Sequence, residues 1–444
     1  MSHGRMQIAI VGGGAAGMVS ARLLDDAHDV TVFERDAVVG GHVRTLGGNV
    51  ACPGLPEGLR LDAGVIEFDR VHFPRFHALM EELGVEMASV PATSGMFLAD
   101  GSSWHAPERL KREYPGLLHR SLEIPRHLPL LAARTRFLAR VDGVPSSALR
   151  EMSVDDFLED DVFGTWLRML LMYAYSIPYR STGAIGATLA IPMLRRFVNT
   201  SDWTRVVGGV WTYLETICNE LRGEVVTGAT VVRVRRGRGG AEVTVEGQAP
   251  RHFDAVVFAT TPDQVLAVLE DADEDERRRF SAWQPNRVHT LTHTDTALYE
   301  RRDIRYHSEF DLFETAGGAH GYNAHLNRLC GVEEGPPHYN LAYGIDEEID
   351  PRCVLHTQHY VTPGYTVEAL RWREEVITCN GQRETWFAGA WLGDGLHEGA
   401  VVSAERVAGG LGGRGIRGRV SAEVSEDISE DISEGGRLDA PGPR

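Results

Sequence analysis

The chain has 444 residues, of which 43% are hydrophobic and 24% charged, with a formal net charge of −18. That length exceeds one simple core and suits about two or three domains, while the composition is that of an ordinary globular protein. The acidity argues against nucleic acid or an anionic membrane as the main partner, and no apolar run reaches the roughly 18 residues that a membrane span needs.

In chain order, Gln7-Ile8-Ala9-Ile10-Val11 reads as a strand that runs into Gly12-Gly13-Gly14-Ala15-Ala16-Gly17 and then a helix through Leu24. An early strand leaves no room for a cleaved leader, so the cytoplasm is the expected compartment. Gly12, Gly14 and Gly17 have the GxGxxG spacing. Gly12 permits the tight turn, Gly14 lets the backbone approach a pyrophosphate, and Gly17 lets helix and strand pack closely. The free N–H groups of the helix N-terminus, Ala15 and Ala16 included, face the phosphates. Val30–Phe33 reads as the next strand, and Glu34 at its end is placed to accept hydrogen bonds from a ribose.

Helical spacing of Phe76, Leu79, Met80 and Leu83 predicts a helix over 74–83. From 88 to 204 the pattern turns to helices rich in bulky apolar residues, a segment read as an insertion. The α/β pattern resumes at Gly208-Gly209 with a helix around 211–222. Ala229–Val234 and Ala241–Val245 then read as a hairpin. Asp254–Thr260 is a buried strand whose partner lies near Thr385–Gly389, and 286–375 carries strand-like stretches suited to a sheet floor. After about 414 order is expected to end, in an acidic near-repeat over 425–434. The expected domains are FAD-binding parts at 1–87, 205–285 and 376–414, a substrate domain at 88–204 (helical part) and 286–375 (sheet part), and a disordered tail at 415–444.

Cys52, Cys218, Cys330, Cys353 and Cys379 are scattered without a CxxC pair, so reduced thiols are expected. None of the 18 histidines has metal-ligand spacing with another in sequence, and no metal is predicted. Lys111 is the only lysine.

Together these motifs resemble the flavin-containing amine oxidase superfamily. Glu34-Arg35 followed by Gly40-Gly41 and Arg44-Thr45 resembles its second flavin-binding stretch, Asp62-Ala63-Gly64 the strand after it, and Gly208-Gly209 the glycine pair before its mid-chain helix. Phe387-Ala388-Gly389 with Gly399–Ala404 resembles its C-terminal signature. The resemblance covers residues 6–411. More distantly, the chain is similar to amine-oxidase-like tailoring enzymes that oxidise an amide and close a macrocycle, such as the lankacidin-forming cyclases.

The resemblance implies an α/β, two-domain flavoprotein: a Rossmann-like FAD domain with an inserted α+β substrate domain. Gly12, Gly14 and Gly17 are implied at the pyrophosphate, with Glu34 and Arg35 at the adenosine ribose. Gly41, His42 and Arg44 border the diphosphate or ribityl chain, and Val232 offers its backbone to the adenine. Gly389, Ala400 and Val401 fall at the flavin, with Val401 beginning a helix. His42 replaces the family's usual arginine, and the lysine that many members hold near flavin N5 is missing. Cys379 is too close to Phe387 to match a covalent-flavin cysteine, so the expected FAD is non-covalent.

Glu67, in the apolar run Val65-Ile66-Glu67-Phe68, is the first catalytic candidate, as a base raised in pKa by burial. Arg328 is a candidate clamp for a substrate carbonyl, with a surface ion pair as the bland alternative. Tyr179, with Tyr173 and Tyr175, is a candidate for the substrate wall, and His397 for the flavin edge. His293 and Asp295 could stand where the lysine is missing. The expected reaction is hydride transfer from a C–H next to nitrogen in a small amine or amide, with O2 as electron acceptor and a possible Mannich-type ring closure in secondary metabolism. Two alternatives stay open: a desaturase or double-bond isomerase of a lipid or polyene, and a non-enzymatic lipid-escort protein. A homodimer is compatible with the fold.

Overall fold

A computed structural model describes residues 4–418 apart from Ala92, Ser201 and Glu334. Gln7–Val11 lies at the centre of a five-stranded sheet in the order Glu224–Val226, Asp29–Phe33, Gln7–Val11, Ala255–Phe258 and Thr385–Phe387. All four pairings are parallel. The apolar character of these strands follows from cover on both faces. Ile8 and Ile10 pack with Met18 and Val19 of the helix Ala15–Leu24 and with Ala404 and Val407 of the helix His397–Gly410. Ala9 and Val11 face the other way, into a core shared with the antiparallel strands Val231–Gly237, Gly240–Val245 and Arg251–Phe253.

A seven-stranded mixed sheet forms the second layer, in the order Val354–Pro363, Pro285–His293, Asn340–Tyr343, His320–His325, Phe310–Glu314, Ser94–Phe97 and Ser103–His105. Helices between Pro107 and Phe197 cover it, and Tyr173 of the helix Val162–Tyr175 packs against Phe310 and Tyr322 on two of its strands. The stretch read from sequence as helical from 88 onward therefore opens with strands. Met87–Val90 pairs with Trp203–Val206, and Ser94–Phe97 runs parallel to Phe310–Glu314. These strands are short and their partners are distant in sequence, so periodicity did not reveal them.

Asp62 ties three sequence motifs together. Its Oδ1 accepts hydrogen bonds from the Thr45 hydroxyl at 2.5 Å and from the Val210 N–H at 3.0 Å, beside Gly208-Gly209. Burial pushes its carboxyl up to about 7, against those hydrogen bonds, which favour ionisation. Order also runs past residue 414, correcting the expected end. Ile416 is buried and donates its N–H to Glu405, and the Arg417 N–H donates to Glu82. The acidic near-repeat over 425–434 lies outside the described residues.

Candidate active site

The glycine turn after Gln7–Val11 is shaped by what a side chain would hit. Gly12 has φ +106°, and a Cβ there would lie 2.7 Å from the Ala259 carbonyl oxygen. A Cβ on Gly17 would lie 2.0 Å from the Gly12 carbonyl oxygen, so helix and strand approach as only glycine allows. Gly14 faces the Gly40-Gly41 loop, with a Cβ on Gly41 meeting Gly14 Cα at 3.0 Å. The helix Ala15–Leu24 has no side-chain cap, leaving first-turn N–H groups for a ligand. Buried Glu34 accepts hydrogen bonds from the Gly13 N–H at 2.8 Å and the Asp36 N–H at 2.9 Å, so it also holds the turn in place.

These residues line one end of a cavity of about 500 Å³ that runs on to Tyr173, Tyr175, Leu396 and His397. Three buried polar atoms in its wall find no partner among the described residues: Arg44 Nε, Thr260 Oγ1 and Thr261 Oγ1. Buried polar groups are nearly always satisfied. With the uncapped helix and the glycine cradle, they fit a long ligand that carries phosphates, as a dinucleotide flavin does.

At the opposite end the helix His397–Gly410 points its N-terminus at the cavity. Asp394 fixes that end, accepting hydrogen bonds from the Leu396 and Gly399 N–H groups at 2.8 Å each. The helix begins four residues before Val401, which is fully buried in the core and does not line the cavity; Ala400 and Gly389 do. His397 also lines it, with Nε2 2.8 Å from the Tyr213 hydroxyl, and burial lowers its pKa to about 3, so its imidazole is neutral. Its neighbour Glu398 faces away. It accepts the Arg75 and Phe76 N–H groups at the start of the helix Pro74–Leu83.

Glu67 lies in the wall between Ile66 and Tyr173. The Tyr173 hydroxyl donates to its Oε1 at 3.4 Å, a long contact. Burial, reinforced by the negative charge of Glu309, raises its carboxyl well above the usual range. Tyr175, Tyr322, Tyr360 and Tyr365 complete an aromatic wall, each phenol pushed up by burial. Above the Ala63 carbonyl two hydroxyls converge, Tyr360 donating at 2.5 Å and Thr290 at 3.2 Å. His42 spends its open surface on the cavity, with Nε2 3.1 Å from the Val361 carbonyl oxygen, and burial lowers its pKa.

Several expected site residues stand elsewhere. Arg328 does not line the cavity; it donates to Glu309 at 2.9 Å, to the Tyr306 hydroxyl at 2.8 Å and to the His307 carbonyl. Arg328 is thus engaged in an ion pair, which lies buried and not at the surface. Tyr179 stacks on His320, centroids 3.9 Å apart, away from the wall. Val232 is the extra residue of a β-bulge and points to solvent, 45% exposed; Val231 takes the place at the cavity. His293 bonds Asn323, and Asp295 caps backbone N–H groups, so neither replaces the lysine. Lys111 itself pairs with Glu108 at the surface. Reasoning from sequence missed Tyr322, Tyr360 and Thr290, whose strands were visible but whose inward faces depend on sheet register.

Fold and cavity together define an enzyme built to hold a flavin. The sequence matches the family of flavin containing amine oxidoreductase over residues 15–290, and the chain belongs to that family. No curated protein matches it. Among solved structures, a redesigned putrescine oxidase triple mutant is 16% identical with a TM-score of 0.65, covering 92% of this chain and 98% of its own. Cyclohexylamine oxidase from Brevibacterium oxydans IH-35A is 16% identical with a TM-score of 0.62, covering 96% and 100%. A CLA-producing fatty acid isomerase from P. acnes is 18% identical with a TM-score of 0.65, covering 91% and 97%. At these identities what is shared is the fold.

Replacing Glu34 by Ala removes the acceptor for the Gly13 N–H, a loss of about 1–3 kcal/mol. The variant is expected to purify with its flavin-to-protein absorbance ratio lowered several-fold while its far-ultraviolet dichroism is unchanged. Wild-type occupancy in Glu34→Ala would contradict this account of the cradle.

Proposed function

We propose that this enzyme is an oxidase that binds FAD non-covalently and oxidises a C–H next to nitrogen in an amine or amide. The observation that carries the reading is Glu67, a buried carboxyl group beside Tyr173 in a wall rich in tyrosine and without lysine. Glu34, Arg35 and Val231 would hold the adenosine of such a cofactor, and Gly12–Gly17, Gly41, His42 and Arg44 its diphosphate. None of the five cysteines lines the cavity, which supports a non-covalent cofactor. Bound there, FAD supplies a two-electron acceptor for hydride that O2 can regenerate with release of hydrogen peroxide.

The residues then have separate tasks. Tyr173, Tyr175, Tyr322 and Tyr365 exclude water and hold the substrate carbon near the far end of the cavity. Glu67 as the neutral acid donates a hydrogen bond to an amide carbonyl, or gives up its proton as a basic amine arrives. A carboxyl with a raised pKa is also a stronger base once ionised, which suits removal of an acidic C–H and a Mannich-type ring closure. His397, neutral and fixed by Tyr213, and the helix N-terminus behind it give that end a positive dipole without a formal charge. On this reading the division into FAD-binding and substrate domains follows the parallel and seven-stranded sheets.

A second reading has one observation in its favour. The wall also carries Phe73, Phe197 and Trp203, and a fatty acid isomerase shares the fold. That activity consumes no O2 and makes no peroxide. The oxidase reading expects one hydrogen peroxide per substrate consumed across a panel of amines, amides and unsaturated fatty acids. Glu67→Gln is expected to keep its flavin spectrum, lose about 10²-fold or more in kcat/KM, and lose a pH-profile limb lying above the ordinary carboxylate range. Full turnover by Glu67→Gln would refute the assigned role.

A further inference from the structure

We infer that His307, His325 and His338 form a transition-metal site suited to Zn2+, separate from the flavin cavity. One ligand nitrogen from each lies within 4.8 Å of the others. His325 Nε2 and His338 Nδ1 are 3.3 Å apart. Zn–N bonds of about 2.0–2.1 Å in a tetrahedral site space their nitrogens about 3.3 Å apart, whereas that separation is long for an N–H···N hydrogen bond. His325 is 2% exposed.

The surroundings are organised for it. Tyr322 lines the cavity, so alternation along His320–His325 turns Asn323 and His325 to the opposite face. His307 precedes the strand Phe310–Glu314 and stacks on Tyr299, centroids 3.8 Å apart. His338 sits on a loop held by Asn327, whose amide nitrogen donates to the carbonyls of Glu333, Gly335 and Pro337 and whose oxygen accepts the Tyr339 N–H. The nearby cations are each paired, Arg328 with Glu309 and Arg109 with Asp311.

The chelator-stripped flavoprotein titrated with Zn2+ in a calorimeter is expected to bind a single ion and to unfold at higher temperature. His325→Ala, and His338→Gln at a half-buried position, are each expected to weaken binding about tenfold or more with the flavin spectrum unchanged. Absence of binding, or wild-type affinity in both variants, would overturn the site.

Independently, the geometry points to a docking surface for anionic phospholipid on the helices Leu117–Glu123 and Leu128–Gly143. Leu117, Leu118, Leu122, Ile124, Leu128 and Leu131 are 80%, 74%, 64%, 45%, 54% and 45% exposed. The first helix buries no residue, and the second turns Leu130, Ala133 and Phe137 inward. So many neighbouring exposed apolar residues mark an interaction surface. Of the nine arginine and lysine residues between 107 and 150, Arg109 is buried on Asp311 and Lys111, Arg126 and Arg136 pair with acids, while Arg112, Arg120, Arg134, Arg140 and Arg150 show no ion pair among the described residues. Two copies of such a face repel, while an anionic bilayer attracts it and receives the leucines at its interface. No helix among the described residues is long and apolar enough to cross a membrane, so the contact is superficial.

Flotation is expected to recover the holoenzyme with vesicles of phosphatidylcholine containing phosphatidylglycerol, less so in high salt, and not with phosphatidylcholine alone. Leu118→Ser/Leu122→Ser is expected to abolish recovery while the flavin spectrum persists. No recovery, equal recovery on both vesicles, or self-association that the same variant abolishes would overturn the proposal.

Discussion

Everything at the site depends on the contact between Gly17 and the Gly12 carbonyl at the carboxyl end of the central strand. Because no Cβ intervenes, the helix Ala15–Leu24 starts directly above the strand, and its free N–H groups face the space that Glu34, Gly40-Gly41 and Thr260 enclose. Parallel pairing on both sides of Gln7–Val11 delivers those groups to the same edge. The second helix, His397–Gly410, packs on the same face of the sheet and brings its own N-terminus to the far end of the cavity. One long ligand can therefore meet two helix dipoles.

Desolvation governs the chemistry of the rest of the wall. It raises Glu67 and the tyrosines and lowers His42 and His397, favouring the neutral form of each. Charges gather instead at the end of the glycine turn, where Arg44 donates to Asp36 at 2.7 Å and Glu34 holds that turn. An apolar chamber next to a charged anchor favours a ligand that fits by shape and by a few hydrogen bonds.

The cradle was legible in the sequence because its logic is local. Strand, glycines, helix and terminal acid follow one another within about thirty residues, and each residue type there has few substitutes. The family motifs at Asp62, Gly208-Gly209 and Gly389 were legible for the same reason, and Asp62 and Thr45 bring the first two into contact. Side-chain direction was not legible. Arg328 and Tyr322 lie on neighbouring elements, yet one is spent on Glu309 and the other faces the cavity, a difference set by sheet register. Val232 lost its place to Val231 through a bulge, and three distant histidines came together only through tertiary packing.

The central claim is that the cavity between the two helix N-termini holds a dinucleotide flavin. Its most direct test is to denature the purified protein and identify the released chromophore by chromatography against FAD and FMN. The account predicts FAD, free in solution and equimolar with the chain. Release of FMN, or a chain that stays colourless after incubation with FAD, would contradict it.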